Sequence, residues 1–156
     1  MPKRTGERSR PLLAAFTPAL ALSATAAFIP FVGPAEADVT PFKSPSGNIE
    51  CTIGEDVDGV DLRCVIFNRS GPPAAPQPAN CAGPWGHIFV LLDRGPVRME
   101  CGGPGQPNTA PGVDVAGYGQ RGTWGGIRCL SSERGLECQN TDGRGFFLSR
   151  AQQTIQ

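Results

Sequence analysis

The chain has one histidine, His87, one tyrosine, Tyr118, two methionines and two lysines in 156 residues. A Ser-His-Asp or Cys-His arrangement needs an imidazole as its base, so His87 alone can supply one. No GxSxG nucleophile turn stands beside it. There is also no CxxC pair, and with a single His the residues argue against zinc, which takes four closely spaced Cys or His ligands in structural sites. No segment repeats its apolar residues at helical spacing, which argues against a helical bundle. A basic field is missing too. The formal net charge is zero, but Lys3, Arg4, Arg8 and Arg10 lie in the first ten residues. Setting aside residues 1–37, with those four bases and the two acids Glu7 and Glu36, leaves a net of −2. Nothing remains to concentrate nucleic acid or an anionic membrane.

What is abundant is glycine, 21, and proline, 16. Both residues punctuate turns and break helices, so the composition favours short strands and loops. The first 37 residues differ from the rest. Residues 1–10 are basic and polar, residues 11–33 are apolar and Ala-rich, and Ala35-Glu36-Ala37 is a small-x-small cleavage pattern before Asp38. That order is the layout of a secretory signal peptide. The apolar run is long enough to span a bilayer, but Pro18, Pro30 and Pro34 interrupt it. The expectation is an export signal over 1–37 and one disulfide-rich β domain over 38–156, with no membrane contact in the mature form.

All six cysteines, Cys51, Cys64, Cys81, Cys101, Cys129 and Cys138, follow the expected cleavage site. An even set in an exported chain reads as a disulfide framework. Facing residues of an antiparallel hairpin have a constant index sum. Cys51 opposite Cys64 leaves Asp56-Val57-Asp58-Gly59 as the connection, and Cys129 opposite Cys138 leaves Ser132-Glu133-Arg134-Gly135. Each four-residue loop ends in the glycine that a residue at positive φ calls for. Ile49, Cys51 and Ile53 share one face of the first strand, as Leu62, Cys64 and Ile66 share one face of the return. Cys81 and Cys101 pair by elimination. A turn at Asp93-Arg94-Gly95 sets His87 opposite Cys101, with Cys81 further back.

In chain order, residues 38–42 read as a short leading strand and 68–80, NRSGPPAAPQPAN, as an extended proline-rich loop. Residues 86–92 form a central buried strand, and 96–101 return antiparallel to it. Residues 102–120 are a Gly/Pro loop with a brief strand at 113–115. Residues 123–130 and 136–140 make the second hairpin, 145–150 the last strand and 151–156 a polar tail. Seven to nine short strands predict an all-β fold, a small disulfide-stapled sandwich or barrel-like domain built of antiparallel hairpins.

Phe42-Lys43-Ser44-Pro45-Ser46-Gly47-Asn48-Ile49 with Cys51 and Cys64, the proline-rich approach to Cys81, Trp85-Gly86, Cys101, Tyr118-Gly119 and the run from Asn140 to Arg150 (NTDGRGFFLSR) resemble a family of small secreted bacterial proteins of unknown function. The resemblance covers nearly all of residues 42–150. It implies an exported, cysteine-bearing domain and no activity. Members often carry GHGF where this chain has Gly143-Arg144-Gly145-Phe146.

His87 opens an apolar strand beside Trp85, and without partners it reads as a structural or rim histidine. Asp56-Val57-Asp58-Gly59-Val60-Asp61 has the carboxylate density of a calcium loop. The twelve-position loop with its closing Glu is absent, so a solvated turn is expected and neither metal nor cofactor. Glu50, Glu100 and Glu137 adjoin cysteines on strands, where alternation aims them outward. Trp85, Tyr118 and Trp124 lie in glycine-rich surroundings and either fill the core or form a contact platform. The expectation is a non-enzymatic exported module that binds a protein or glycan outside the cytoplasm. Its contact surface takes the 103–120 loop with Trp85, His87, Tyr118, Trp124 and Arg144. The alternatives are a small secreted hydrolase using His87 and a structural cell-envelope protein.

Overall fold

The computed structural model describes residues 38–156, so the expected export signal, residues 1–37, lies outside the described residues. Eleven strands are present among the described residues: β1 (Asp38–Lys43), β2 (Ile49–Asp56), β3 (Gly59–Ile66), β4 (Ile88–Leu92), β5 (Arg98–Glu100), β6 (Asp114–Val115), β7 (Arg121–Trp124), β8 (Ile127–Ser132), β9 (Gly135–Gln139), β10 (Gly145–Leu148) and β11 (Gln153–Ile155). There is no helix among the described residues. Sheet A runs β5-β4-β3-β2-β1-β6 and sheet B runs β11-β10-β9-β8-β7. Every pairing is antiparallel except β1 with β6, which is parallel. The fold is all-β, a sandwich of two sheets.

Alternation dictates the inner faces. β2 buries Ile49, Cys51 and Ile53, and β8 buries Ile127, Cys129 and Ser131. All of these except Ser131 meet Leu62, Cys64, Ile66, Phe89, Leu91, Leu136, Cys138, Phe146 and Leu148 in one core. Phe89 of sheet A and Phe146 of sheet B touch across it, centroids 5.7 Å apart. Each sheet thus carries one disulfide in its middle, on the core side. Cys51–Cys64 and Cys129–Cys138 join facing residues with Cα separations of 4.0 and 4.1 Å. That close approach belongs to non-hydrogen-bonded antiparallel pairs. Cys81–Cys101 ties the proline-rich loop to the end of β5.

The expected registers hold: Cys51 faces Cys64, Cys129 faces Cys138, and Ile88 faces Glu100, which continues to His87 opposite Cys101. Three expectations need correction. The hairpin loops are two residues long, Val57-Asp58 and Glu133-Arg134, because the ladders close one step further, at Asp56–Gly59 and Ser132–Gly135. Residues 123–130 are not one strand: Gly125-Gly126 turns the chain between β7 and β8. Gly125 has φ +50°, and a side chain there would strike Val60 and Asp93, so only glycine fits. The polar tail also folds, as β11, since Gln153–Ile155 completes the edge of β10.

Hydrogen bonds at turns fasten the structure at each end, from side chains that join the two sheets at one end and from a backbone contact between them at the other. At one end Asp93, after β4, accepts from Val60 N at 2.9 Å and from Gly126 N at 2.6 Å. Asn140, fully buried, donates to Leu92 O and Gly95 O and accepts from Asp142 N and Arg144 N. At the other end Asn48 exchanges two hydrogen bonds with the backbone of Asn68, and Ser70 N donates to Arg150 O.

Candidate functional site

The two sheets differ by one strand on one side. Trp124 of β7 stacks on Phe42 of β1, centroids 5.4 Å apart and planes within 10°. β7 therefore lies over β1, and β6 extends sheet A beyond it. Between the outer strands runs a groove of about 510 Å³, bordered by Asp114 and Val115 from β6 and by Arg121, Gly122 and Trp124 from β7. Phe42, Trp124 and Leu136 supply its apolar floor. Gly122 shapes it, because the six-membered ring of Trp124 occupies the space a side chain at 122 would take. Val115 stays 52% exposed at the rim, although it is a large apolar residue on a strand. The polar groups at hand are Thr40, Asp114, Gln120, Arg121 and Ser131. Of these, the Ser131 hydroxyl already donates to Ala116 O at 2.8 Å, and Gln120 Oε1 accepts from Gly117 N. A groove of this composition can hold an apolar group and orient it by a few polar contacts at the rim.

A second concavity lies on the other face of the same strand. Arg121, Thr123, Arg128, Leu130, Glu137 and Gln139 line a space of about 280 Å³ on the outside of sheet B. The register places Thr123 beside Arg128 and Gln139, and Arg121 beside Leu130 and Glu137. The two ion pairs among the described residues are Arg63–Glu100 and Arg94–Asp142, so neither Arg121 nor Arg128 is in one.

The residues expected from sequence lie apart from one another. Trp124 is in the inner groove, half-buried on β7. Tyr118, 52% exposed, lines a different groove with Ser44, Asn48 and Glu133. Trp85 is half-buried and donates its indole N–H to Ala75 O at 2.8 Å, while its own carbonyl accepts from Arg69. His87 Nδ1 lies 2.7 Å from Ile66 O, and its hydrogen-bonded partner is that carbonyl rather than a carboxylate or hydroxyl. Arg144 has an exposed side chain on the β9–β10 turn. The 103–112 stretch folds back on β2, where Glu50 accepts from Asn108 N. Glu100 and Glu137 face out, Glu100 against Arg63. The acidic tip does not converge. Asp56 accepts from Asp58 N, Asp93 is occupied by two backbone amides, and no metal-ligating cluster is present among the described residues.

Sequence reading missed Phe42, Gly122, Arg121 and Arg128. The usable signal was Gly-x-Trp before Gly-Gly at 122–126, a two-residue hairpin connection with a small residue two positions from a large one on the same face.

A family model described as "Family of unknown function (DUF6636)" matches residues 19–156. No curated protein matches the chain, and no solved structure does.

Proposed function

Because the chain belongs to this family of unknown function, we propose from the site alone that it is an exported binding module without catalytic activity, and that its contact surface is the groove between β6 and β7. The observation that carries this reading is the solvent-open floor of stacked Phe42 and Trp124 between the outer strands of two braced sheets. Aromatic side chains in a shaped recess give large contact area at low cost in conformational entropy. The groove-lining residues include hydroxyls and a carboxylate but no imidazole to activate a nucleophile. Three disulfides suit an oxidising compartment outside the cytoplasm.

The test is binding of the purified, disulfide-bonded protein to arrays of glycans, cell-wall polymers and peptides, compared with Trp124→Ala. The expected result is a ligand whose affinity falls at least about tenfold in Trp124→Ala, on the scale of an interface anchor. A ligand indifferent to Trp124 but lost with Trp85→Ala or His87→Ala moves the site to the entry of β4 and refutes the groove.

A further inference from the structure

We propose that β7 is a docking edge: an extended segment of another polypeptide adds to sheet B beside it as a sixth strand, with a large apolar side chain in the inner groove and acidic side chains on the outer face. This rests on the reading of the groove as the contact surface and names its occupant.

The backbone supports strand addition first. β7 ends sheet B. Ser131 N donates to Gln120 O at 3.0 Å, so by antiparallel alternation Gly122 and Trp124 bond to β8, while the N–H and C=O of Arg121 and Thr123 point outward. The remaining edges are blunted in recognised ways. β6 has two residues, β5 and β11 have three each, and the stretch of β1 beyond β6 carries Pro41, which has no N–H. The sheets support it second. β7 sits over β1, so no strand of sheet B stands opposite β6, and the inner groove occupies that position.

The side chains supply the chemistry of the partner. Successive residues of an added strand point to opposite faces. One set would enter the inner groove, against Phe42, Val115 and Trp124. The next would meet the outer face, where Arg121 and Arg128 stand without an ion pair among the described residues. In strand addition the main chain gives affinity and pockets for alternate side chains give selectivity. The pattern that fits is acidic–apolar–acidic in an extended peptide. Arg121 and Arg128 outnumber Glu137, the one carboxylate lining that face, in residues 38–156, whose net charge is −2, so an acidic peptide has this edge to land on.

The experiment selects random peptides displayed against the full disulfide-bonded protein and measures the enriched sequences as synthetic peptides. Enrichment of alternating acidic and apolar residues is expected. N-methylation of alternate peptide nitrogens should weaken binding at least tenfold, with little effect at the intervening ones. Thr123→Pro removes an outward N–H and should weaken binding comparably, and Arg121→Glu with Arg128→Glu should remove the acidic preference. Should Thr123→Pro fail to fold, the N-methylated peptides alone decide. No enrichment, N-methylation without effect, or a β7-dependent dimer of this chain in place of peptide binding overturns the proposal. A glycan ligand lost in Trp124→Ala but kept in Thr123→Pro overturns strand addition and leaves the groove standing. A peptide bound independently of Trp124 refutes the groove as well.

Discussion

Replacing Asn140 by alanine tests whether the run from Asn140 to Arg150 is a structural joint or a binding surface. The Asn140 side chain is fully buried and makes four hydrogen bonds, two donated to Leu92 O and Gly95 O at 3.0 and 2.9 Å, and two accepted from Asp142 N and Arg144 N at 3.1 and 3.0 Å. A hydrogen bond contributes about 1 kcal/mol net, and a buried partner left unpaired costs about 1–3 kcal/mol. The amides of Asp142 and Arg144 belong to exposed residues and regain water in the mutant, so they add little. Leu92 is exposed as well, so its carbonyl also regains water, and the loss comes from the half-buried Gly95 carbonyl together with the four hydrogen bonds removed. The expected destabilisation is therefore about 2–4 kcal/mol, or on the order of 10 °C in Tm for a domain of this size. Urea unfolding with the disulfides intact, followed by tryptophan fluorescence, measures it, and the denaturant slope should not change. Arg144→Ala is the control: its side chain is exposed, so stability should move by no more than about 0.5 kcal/mol. A loss below about 1 kcal/mol for Asn140→Ala refutes the joint.

Gly122→Val should push Trp124 off Phe42, costing about 1–3 kcal/mol as overpacking does, and should alter the near-ultraviolet tryptophan signal; an unchanged spectrum and Tm contradict the packing described. A non-reducing peptide map should show only the links 51–64, 81–101 and 129–138, and any link between the two hairpins refutes the pairing. Loop closure alone makes Cys81–Cys101, with sequence separation 20, worth slightly more than Cys129–Cys138, with separation 9, each contributing about 3 kcal/mol. Burial reverses that order. Cys129 and Cys138 both lie in the core while Cys101 is exposed, so replacing the 129–138 pair by alanines should cost more; the opposite ranking shows that packing around this bridge is unimportant. Millimolar calcium should leave Tm unchanged, because the carboxylates of Asp56 and Asp93 are turned onto backbone amides; a rise of several degrees would identify an ion site at the tip.

The hairpins were legible because period-two alternation and the cysteine spacings are local and agree. Ile49, Cys51 and Ile53 against Leu62, Cys64 and Ile66 fix a register that a one-residue slip would turn inside out. The same logic gave the β4–β5 register from Asp93-Arg94-Gly95. What was not legible depends on contacts distant in sequence. β11 has no apolar alternation of its own and forms because β10 presents an edge. Whether Trp124 fills the core or forms a contact platform stayed open, since its stacking partner, Phe42, lies 82 positions earlier. The turn at Gly125-Gly126 was written in the sequence, and passing over it merged β7 with β8 and hid the strand that borders both concave surfaces.

Two of the stretches that carry the family resemblance lie at the joints, although the first of them begins with Phe42 of the groove floor. Ser44 to Asn48 forms the turn that holds Asn68, and Asn140 to Arg150 holds Leu92 and Gly95 at one end and Ser70 at the other. The residues of these stretches are therefore accounted for by backbone hydrogen bonds that would otherwise go unmade. The disulfide in the middle of each sheet holds that sheet's own strands, and the contacts of Asp93, Asn140 and Ser70 at the two ends tie sheet A to sheet B. With the sheets so tied, β7 stays over β1 and β6 stays uncovered. A partner of the proposed kind would meet a preformed edge and lose less to ordering. The side chains at the edge, Arg121, Thr123, Arg128 and Val115, belong to no joint and make no core contact that would suffer from replacement. Replacing them should therefore cost the fold little, which makes this edge the place to test the proposed binding by substitution.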